Sequence, residues 1–261
     1  MNKKIAIVPV SETDTEIPSV YLRYLGAKPL IFYIIEAAKE SDCFSEIYIN
    51  SNEEIYKQIA EELGVKFYKR PKYLSNRSAS LDDIIYEFTT STKCDDVVSL
   101  SALAPFITSN EIQSFMAWIS EDTILQKSGY KIENHDSSII GKDGNIKNQN
   151  PIIICNNIIV YVKSSDIIYH MDKFGAYINE SYKDDLCFRL NKIKSQKIYT
   201  AEDLTLCKYI MQGQLDETRE GLIYYPDLLA TKEEQIIEEN EDSSESTLEI
   251  FVPFVITNRN D

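Results

Sequence analysis

The first half of the chain alternates short apolar runs with segments whose apolar residues recur at helical spacing. The runs are typical of strands that are buried on both faces of a parallel sheet. They lie at residues 4–9, 46–50, 65–68 and 95–100, and the helical segments lie at residues 29–41, 53–63, 80–90 and 109–119. This alternation predicts βαβ units and a doubly wound α/β fold. Because such sheets bind ligands beyond the carboxyl ends of their strands, function is expected in the loops after Pro9, Asn50 and Leu100.

The second half of the chain has a weaker pattern. Residues 142–145, Lys-Asp-Gly-Asn, form a turn sequence that is typical of a hairpin. Residues 151–163 are apolar and rich in β-branched side chains, which predicts one or two buried strands. Residues 203–212 are expected to form a further helix.

The end of the chain changes character. Residues 233–245 contain seven acidic residues and no basic one, as expected of a solvated linker. Residues 248–256 are apolar and need a covering surface, either on this domain or on another subunit. We therefore expect a domain at 1–212 with an insertion at about 130–170, a helical or acidic linker at 213–245, and a docking segment at 246–261.

The net charge of −15 argues against nucleic acid and anionic membrane surfaces as partners, because both are bound through clustered Lys and Arg. No apolar run of transmembrane length occurs. The five cysteines are odd in number and never form a C-x-x-C pair, which disfavours a disulfide framework or a zinc site. The expected location is the reducing cytoplasm.

Several short motifs follow one another in a fixed order along residues 4–210. They are Ile7-Val-Pro9, Ile17-Pro18, Leu25-Gly-Ala-Lys-Pro-Leu30, Arg70-Pro71, Gln149, Asn157 with Tyr161, Ser195, and Glu202-Asp-Leu204. This set resembles the acylneuraminate (sialic-acid-type) cytidylyltransferases. The resemblance implies a Rossmann-like nucleotidyltransferase fold, transfer of CMP from CTP to a nine-carbon sugar acid with a divalent metal, and dimerisation through a β-rich insertion.

The loop after the first strand departs from the family pattern, which runs Arg-x-Gly-Ser-Lys-Arg and later Lys-Asn. Ser11 stands at the Arg position, and Thr15 and Glu16 stand at the Lys-Arg pair. The remaining positions read Glu12, Thr13, Val20 and Tyr21. A triphosphate needs basic side chains and close backbone N–H groups, and one unit-charge contact is worth about 4 kcal/mol near a protein surface. Because the loop has three acidic residues and no basic one up to Tyr21, we expect it not to bind triphosphate.

Two further sites of the family pattern have also changed. After the fourth strand, Ser101 replaces a Gln and Ile107 replaces an Arg of the nucleotide site, whereas Asn157 is retained. At the metal site, Lys197 and Tyr199 replace two Asp residues. Magnesium prefers carboxylate oxygens, so no metal is expected there.

These losses on a retained scaffold predict a catalytically degenerate member of the family that acts by binding, as a regulatory or scaffold subunit, without a cofactor or catalytic residues. Two alternatives remain: an active CMP-sugar cytidylyltransferase with a rebuilt, magnesium-dependent site, and a purely structural subunit. The expected partner is a protein, bound as a homodimer or heteromer through residues 151–163 and the tail at 248–256. His135 and His170 are interpreted as surface or packing residues. Arg70 and Arg77 could bind an anion but are interpreted as solvated residues.

Overall fold

A computed structural model of the chain describes residues 4–11, 15–76, 79–120, 123, 125–132, 139–140, 146–147, 152–178 and 187–220. The chain divides into two units, Met1–Gln212 and Gly213–Asp261. The first unit is an α/β domain, and the described part of the second is the helical stretch at residues 213–220. The predicted linker beyond residue 220 and the docking segment lie outside the described residues.

Seven strands form the main sheet of the first unit. They are β1 (Lys4–Pro9), β4 (Glu46–Ser51), β5 (Lys66–Lys69), β6 (Asp96–Leu100), β7 (Leu125–Ile132), β10 (Ile152–Lys163) and β11 (Cys187–Arg189). The order across the sheet is β11-β7-β10-β6-β1-β4-β5. Only β10 runs antiparallel to its neighbours among these strands, so the predicted mostly parallel sheet is confirmed.

Two small hairpins accompany the main sheet. They are β2 (Tyr24–Leu25) with β3 (Lys28–Pro29), and β8 (Ile139–Ile140) with β9 (Ile146–Lys147). The second flanks the turn sequence at residues 142–145, so the predicted hairpin is confirmed, although the turn itself lies outside the described residues.

The described residues form six α-helices: α1 (Leu30–Glu40), α2 (Ile55–Leu63), α3 (Leu81–Thr92), α4 (Ser109–Trp118), α5 (Ser164–Phe174) and α6 (Ala201–Glu220). Two short 3₁₀ helices lie at Val20–Leu22 and Lys72–Leu74. None of the helices in the described ranges is long and apolar enough to cross a membrane.

Local sequence explains where several helices begin and end. Gly64 ends α2 in the left-handed region, with a φ of 66°, as predicted for a C-cap glycine. Ser80 and Asp83 form a reciprocal capping box at the start of α3. The acidic residues at this helix start therefore have a structural role, as the sequence predicts.

The core lies on both faces of the sheet. One cluster joins the sheet to α1, α2 and α4, and the other joins it to α3 and α5. Residues 158–162 of β10 are buried in these clusters, with Ile158, Ile159 and Tyr161 in the first and Val160 and Val162 in the second. The domain's own layers therefore cover the second half of the segment at residues 151–163, through which dimerisation is predicted. The side chains of residues 152–154 lie outside the described part, so dimerisation stays a prediction there.

The order of the strands places a crevice at the carboxyl ends of β1 and β6. The chain passes from β1 to β4 and β5 on one side and then returns to place β6 on the other side of β1. Such a reversal separates the loops that follow the two central strands, and ligands of open α/β sheets bind there. Ser11 and Ser101 both belong to these loops.

Candidate functional site

The first loop is tied down by local hydrogen bonds. Thr15 Oγ1 donates to the carbonyl of Ile17 at 3.1 Å and receives the N–H of Ile17 at 3.2 Å. The hydroxyl of Thr15 is thereby used within its own turn. Ser11 is buried and Glu16 is exposed, so an acidic rather than a basic side chain faces solvent here. Residues 12–14 lie outside the described part of the chain.

The loop after β6 turns its apolar side chains into the core. Ile107, which stands at the Arg position of the family pattern, is buried in the cluster that contains α1 and α4. Ser101 is half-buried, and its N–H donates to the carbonyl of Ile158 at 2.9 Å. This loop therefore supplies backbone positions to the crevice, and Ile107 supplies no charge.

A β-bulge in β10 lies beside the loop that follows β6. The pairing with β7 shifts register between Cys155 and Val160. Ser128 of β7 stabilises the bulge, because its Oγ accepts the N–H groups of Ile158 at 3.1 Å and Ile159 at 2.9 Å. The same hydroxyl donates to Asn156 Oδ1 at 3.1 Å.

Asn157 lies within this bulge in a strained conformation. Its φ is 49°, in the left-handed region that few residues other than Gly, Asn and Asp adopt. Its Oδ1 is buried without a hydrogen-bond partner among the described residues. A buried polar atom left unpaired costs about 1–3 kcal/mol, and such atoms occur at functional sites.

The segment before α6 contains Lys197 and Tyr199, the two positions of the family's metal site, and lies at the same edge of the sheet. Lys197 Nζ donates to the carbonyl of Asn156 at 3.3 Å and lies 5.1 Å from the ring centroid of Tyr199. The carbonyl of Tyr199 accepts the N–H of Glu16 at 3.3 Å, and the N–H of Ile198 donates to the carbonyl of Leu103 at 3.0 Å. Backbone bonds thus connect this segment to the first loop and to the loop after β6.

The residues at this position do not fit a magnesium ion. Lys197 adds a positive charge, and Tyr199 offers a phenol that is 44% exposed. Asp203 is the nearby carboxylate, and its Oδ2 caps α6 by accepting the N–H groups of Tyr199 at 2.9 Å and Thr200 at 3.0 Å. In the described ranges no group of three His, Cys, Asp or Glu could hold a metal ion. Magnesium needs several oxygen ligands, which this set does not provide.

Arg70 is the main site residue that the sequence interpretation misplaced. It is 2% exposed rather than solvated, and its Nη2 donates to the carbonyl of Val10 at 2.7 Å. Its Nε donates to Ser75 Oγ at 3.3 Å. Arg70 thereby fixes the start of the first loop. Its position directly after β5 and before Pro71 was the only signal in the sequence.

Asn50 is a second residue that the sequence interpretation did not single out. It ends the apolar part of β4, is 0% exposed, and has no hydrogen-bond partner for either amide atom among the described residues. Its carbonyl accepts the N–H of Val10 at 3.1 Å. Asn50 therefore places an unpaired amide beside the first loop.

The predicted site residues therefore gather at one edge of the sheet. The hydrogen bonds given above join the segments that contain Glu16, Ser101, Lys197 and Tyr199. Asn157 follows Asn156, whose carbonyl accepts Lys197 Nζ. Ser11 and Thr15 belong to the loop that also contains Glu16. Of the remaining residues, His170 has a packing role, because it stacks on Tyr177 with ring centroids 4.2 Å apart. His135 and Arg77 lie outside the described residues.

Comparison with known proteins identifies relatives of this arrangement. The N-acylneuraminate cytidylyltransferase of Streptococcus agalactiae serotype V is 28% identical over 141 residues, which are 52% of this chain and 34% of that protein. The 3-deoxy-manno-octulosonate cytidylyltransferase of Fusobacterium nucleatum is 20% identical over 229 residues, 85% of this chain and 91% of that protein. The chain thus spans about a third of the length of the N-acylneuraminate relative from Streptococcus agalactiae.

Solved structures share the fold. A CMP:2-keto-3-deoxy-manno-octonic acid synthetase complexed with CTP aligns with a TM-score of 0.61 at 13% identity, over 82% of this chain and 100% of that chain. The 4-diphosphocytidyl-2C-methyl-D-erythritol synthase from Anaerococcus prevotii aligns with a TM-score of 0.60 at 14% identity, over 81% of this chain and 99% of that chain. The family model described as cytidylyltransferase matches residues 5–243. The chain belongs to the cytidylyltransferase family.

Proposed function

We propose that this chain is a non-catalytic cytidylyltransferase that acts by binding, as a regulatory or scaffold subunit. The observation that supports this most directly is the chemistry of the metal position, where Lys197 and Tyr199 stand and the nearby Asp203 caps α6. The first loop adds a second argument, since Ser11, Thr15 and Glu16 offer no positive charge to a triphosphate.

Two residues maintain the shape of the scaffold. Arg70 holds the carbonyl of Val10, and Ser128 holds the bulge that contains Asn157. Both sets of contacts shape the crevice without requiring a nucleotide.

The first prediction is that the purified protein releases no pyrophosphate from CTP, Mg²⁺ and a panel of nonulosonic acids. Without a metal ion or a basic first loop, only the single ammonium group of Lys197 is left to offset the charge that develops on the leaving pyrophosphate. A contaminating enzyme is controlled by the double variant Lys197→Asp, Tyr199→Asp, which changes the metal position alone. Turnover by the wild type at a rate that this double variant alters would show that the activity is its own and refute the proposal.

The proposed partner is a protein, either a second copy or another subunit. The support is the apolar segment at residues 248–256, tethered by the acidic stretch at residues 233–245. Like charges keep such a linker extended, and Pro253 restricts the segment to an edge or groove-bound strand. A monomeric mass in light scattering at micromolar concentration would exclude the homodimer.

A further inference from the structure

Lys197 provides an uncompensated cation at the edge of the crevice. Within the described part of the chain it has no carboxylate in salt-bridge distance, whereas Lys194 in the same segment pairs with Glu111 at 3.1 Å. The only direct partners of its ammonium group among the described residues are the carbonyl of Asn156 and the ring of Tyr199. An ammonium group whose contacts are a neutral carbonyl and an aromatic face can still bind an anionic ligand.

Two unpaired polar atoms accompany this ammonium group. Ser195 is 7% exposed, and its Oγ has no partner among the described residues. The carbonyl of Ser195 accepts the side-chain amide of Asn156 at 3.2 Å, which joins it to the bulge. Asn157, the next residue of that bulge, has the unpaired Oδ1. The Ser195 hydroxyl, Asn157 Oδ1 and the Lys197 ammonium group thus lie on two segments that hydrogen bonds join to each other.

We propose that this segment forms a metal-independent binding site for a small hydroxylated anion. Lys197 Nζ and the Ser195 hydroxyl bind the anionic oxygens, and Asn157 Oδ1 accepts a hydrogen bond from the hydroxyl of the ligand. The proposal rests on the proposed function, because it requires that Lys197 take the position that a metal ion holds in the resembled family. One ammonium group matches a single negative charge, and the exposed Glu16 beside Tyr199 disfavours a multiply charged triphosphate.

The chemistry fits a carboxylate or a phosphate carried beside a hydroxyl. Two matched three-carbon probes distinguish them: glycerate and glycerol 3-phosphate, each titrated into the full-length protein in EDTA. Ligand-observed NMR measures the dissociation constants for the wild type and for Lys197→Met, Lys197→Arg and Lys192→Met. Lys192 is an exposed lysine in the same segment, so its variant removes an equal charge outside the site. Thermal melting checks that every variant is folded.

We expect at least one probe to bind, with affinity falling at least tenfold in Lys197→Met and staying within twofold in Lys192→Met and Lys197→Arg. Tighter binding of glycerate assigns a carboxylate ligand, and tighter binding of glycerol 3-phosphate assigns a phosphate ligand. Equal loss in Lys197→Met and Lys192→Met, or no saturable binding to the wild type, overturns the site. Either failure leaves the pyrophosphate result untouched, so the proposed function is judged separately.

Discussion

Replacement of Arg70 by methionine is expected to lower the free energy of unfolding by about 2–4 kcal/mol, since two acceptors lose their donor. The methionine side chain occupies similar space but cannot donate to the carbonyl of Val10 or to Ser75 Oγ. Val10 is fully buried, so water cannot replace the lost hydrogen bond at that carbonyl without entering the core. The start of the first loop is the part expected to loosen.

A matched arginine provides the control. Arg23 also donates to a backbone carbonyl, that of Pro18 at 3.1 Å, but this contact is exposed. Arg23→Met should change stability by less than about 0.5 kcal/mol, as surface substitutions do. Denaturant unfolding measures the free energy of unfolding of both variants, provided that its dependence on denaturant concentration is unchanged. Equal effects of the two substitutions would show that Arg70 does not hold the loop.

Replacement of Ser128 by alanine is expected to cost about 2–4 kcal/mol, because two buried N–H groups lose their acceptor at once. The N–H groups are those of Ile158 and Ile159, which the bulge removes from ordinary strand pairing. Amide hydrogen exchange at these two residues should accelerate together, which a general loss of packing would not single out.

The control for Ser128 is Ser45→Ala. Ser45 Oγ donates to the carbonyl of Lys4 at 3.0 Å in an exposed position, where water can take its place. A change of less than about 0.5 kcal/mol is expected there. Unchanged exchange at Ile158 and Ile159 in Ser128→Ala would contradict the role of Ser128 in the bulge.

Strands with continuous apolar sequence were predictable from local pattern alone. The bounds of β1, β4 and β6 fall within one residue of the predicted runs. β7 was missed because buried polar residues interrupt its pattern, and their partners are distant in sequence. Lys127 donates to the carbonyl of Ile178, and burial lowers the pKa of its ammonium group. The three-residue β11 has no local signal of its own, because it is fixed by pairing with β7.

Helix α5 was also missed, although its end carries a signal. Gly175 follows it with a φ of 74°, as a C-cap glycine does. The polar start of this helix, Ser164-Ser-Asp166, hides the apolar face that packs on β10. That glycine and the acidic first turn together were enough to predict the helix.

The candidate site was predictable as a set of positions but not as a set of contacts. The resemblance identified Ser11, Ser101, Lys197 and Tyr199, and the fold brings their loops to one edge. Arg70 was interpreted as solvated because nothing in the sequence shows the carbonyl that it binds 60 residues away. Contacts of this range depend on the sheet order, which local pattern does not determine.

Isothermal titration with CTP in the presence of Mg²⁺ tests the central claim most directly, because nucleotide binding precedes any transfer. The account predicts no Mg²⁺-dependent saturable heat up to about 1 mM CTP, the upper end of ordinary substrate concentrations for enzymes. The variant Lys197→Asp, Tyr199→Asp should likewise give no saturable heat, because its first loop still has no basic residue from Ser11 to Tyr21. Saturable binding of CTP to the wild type that disappears in EDTA would contradict the account.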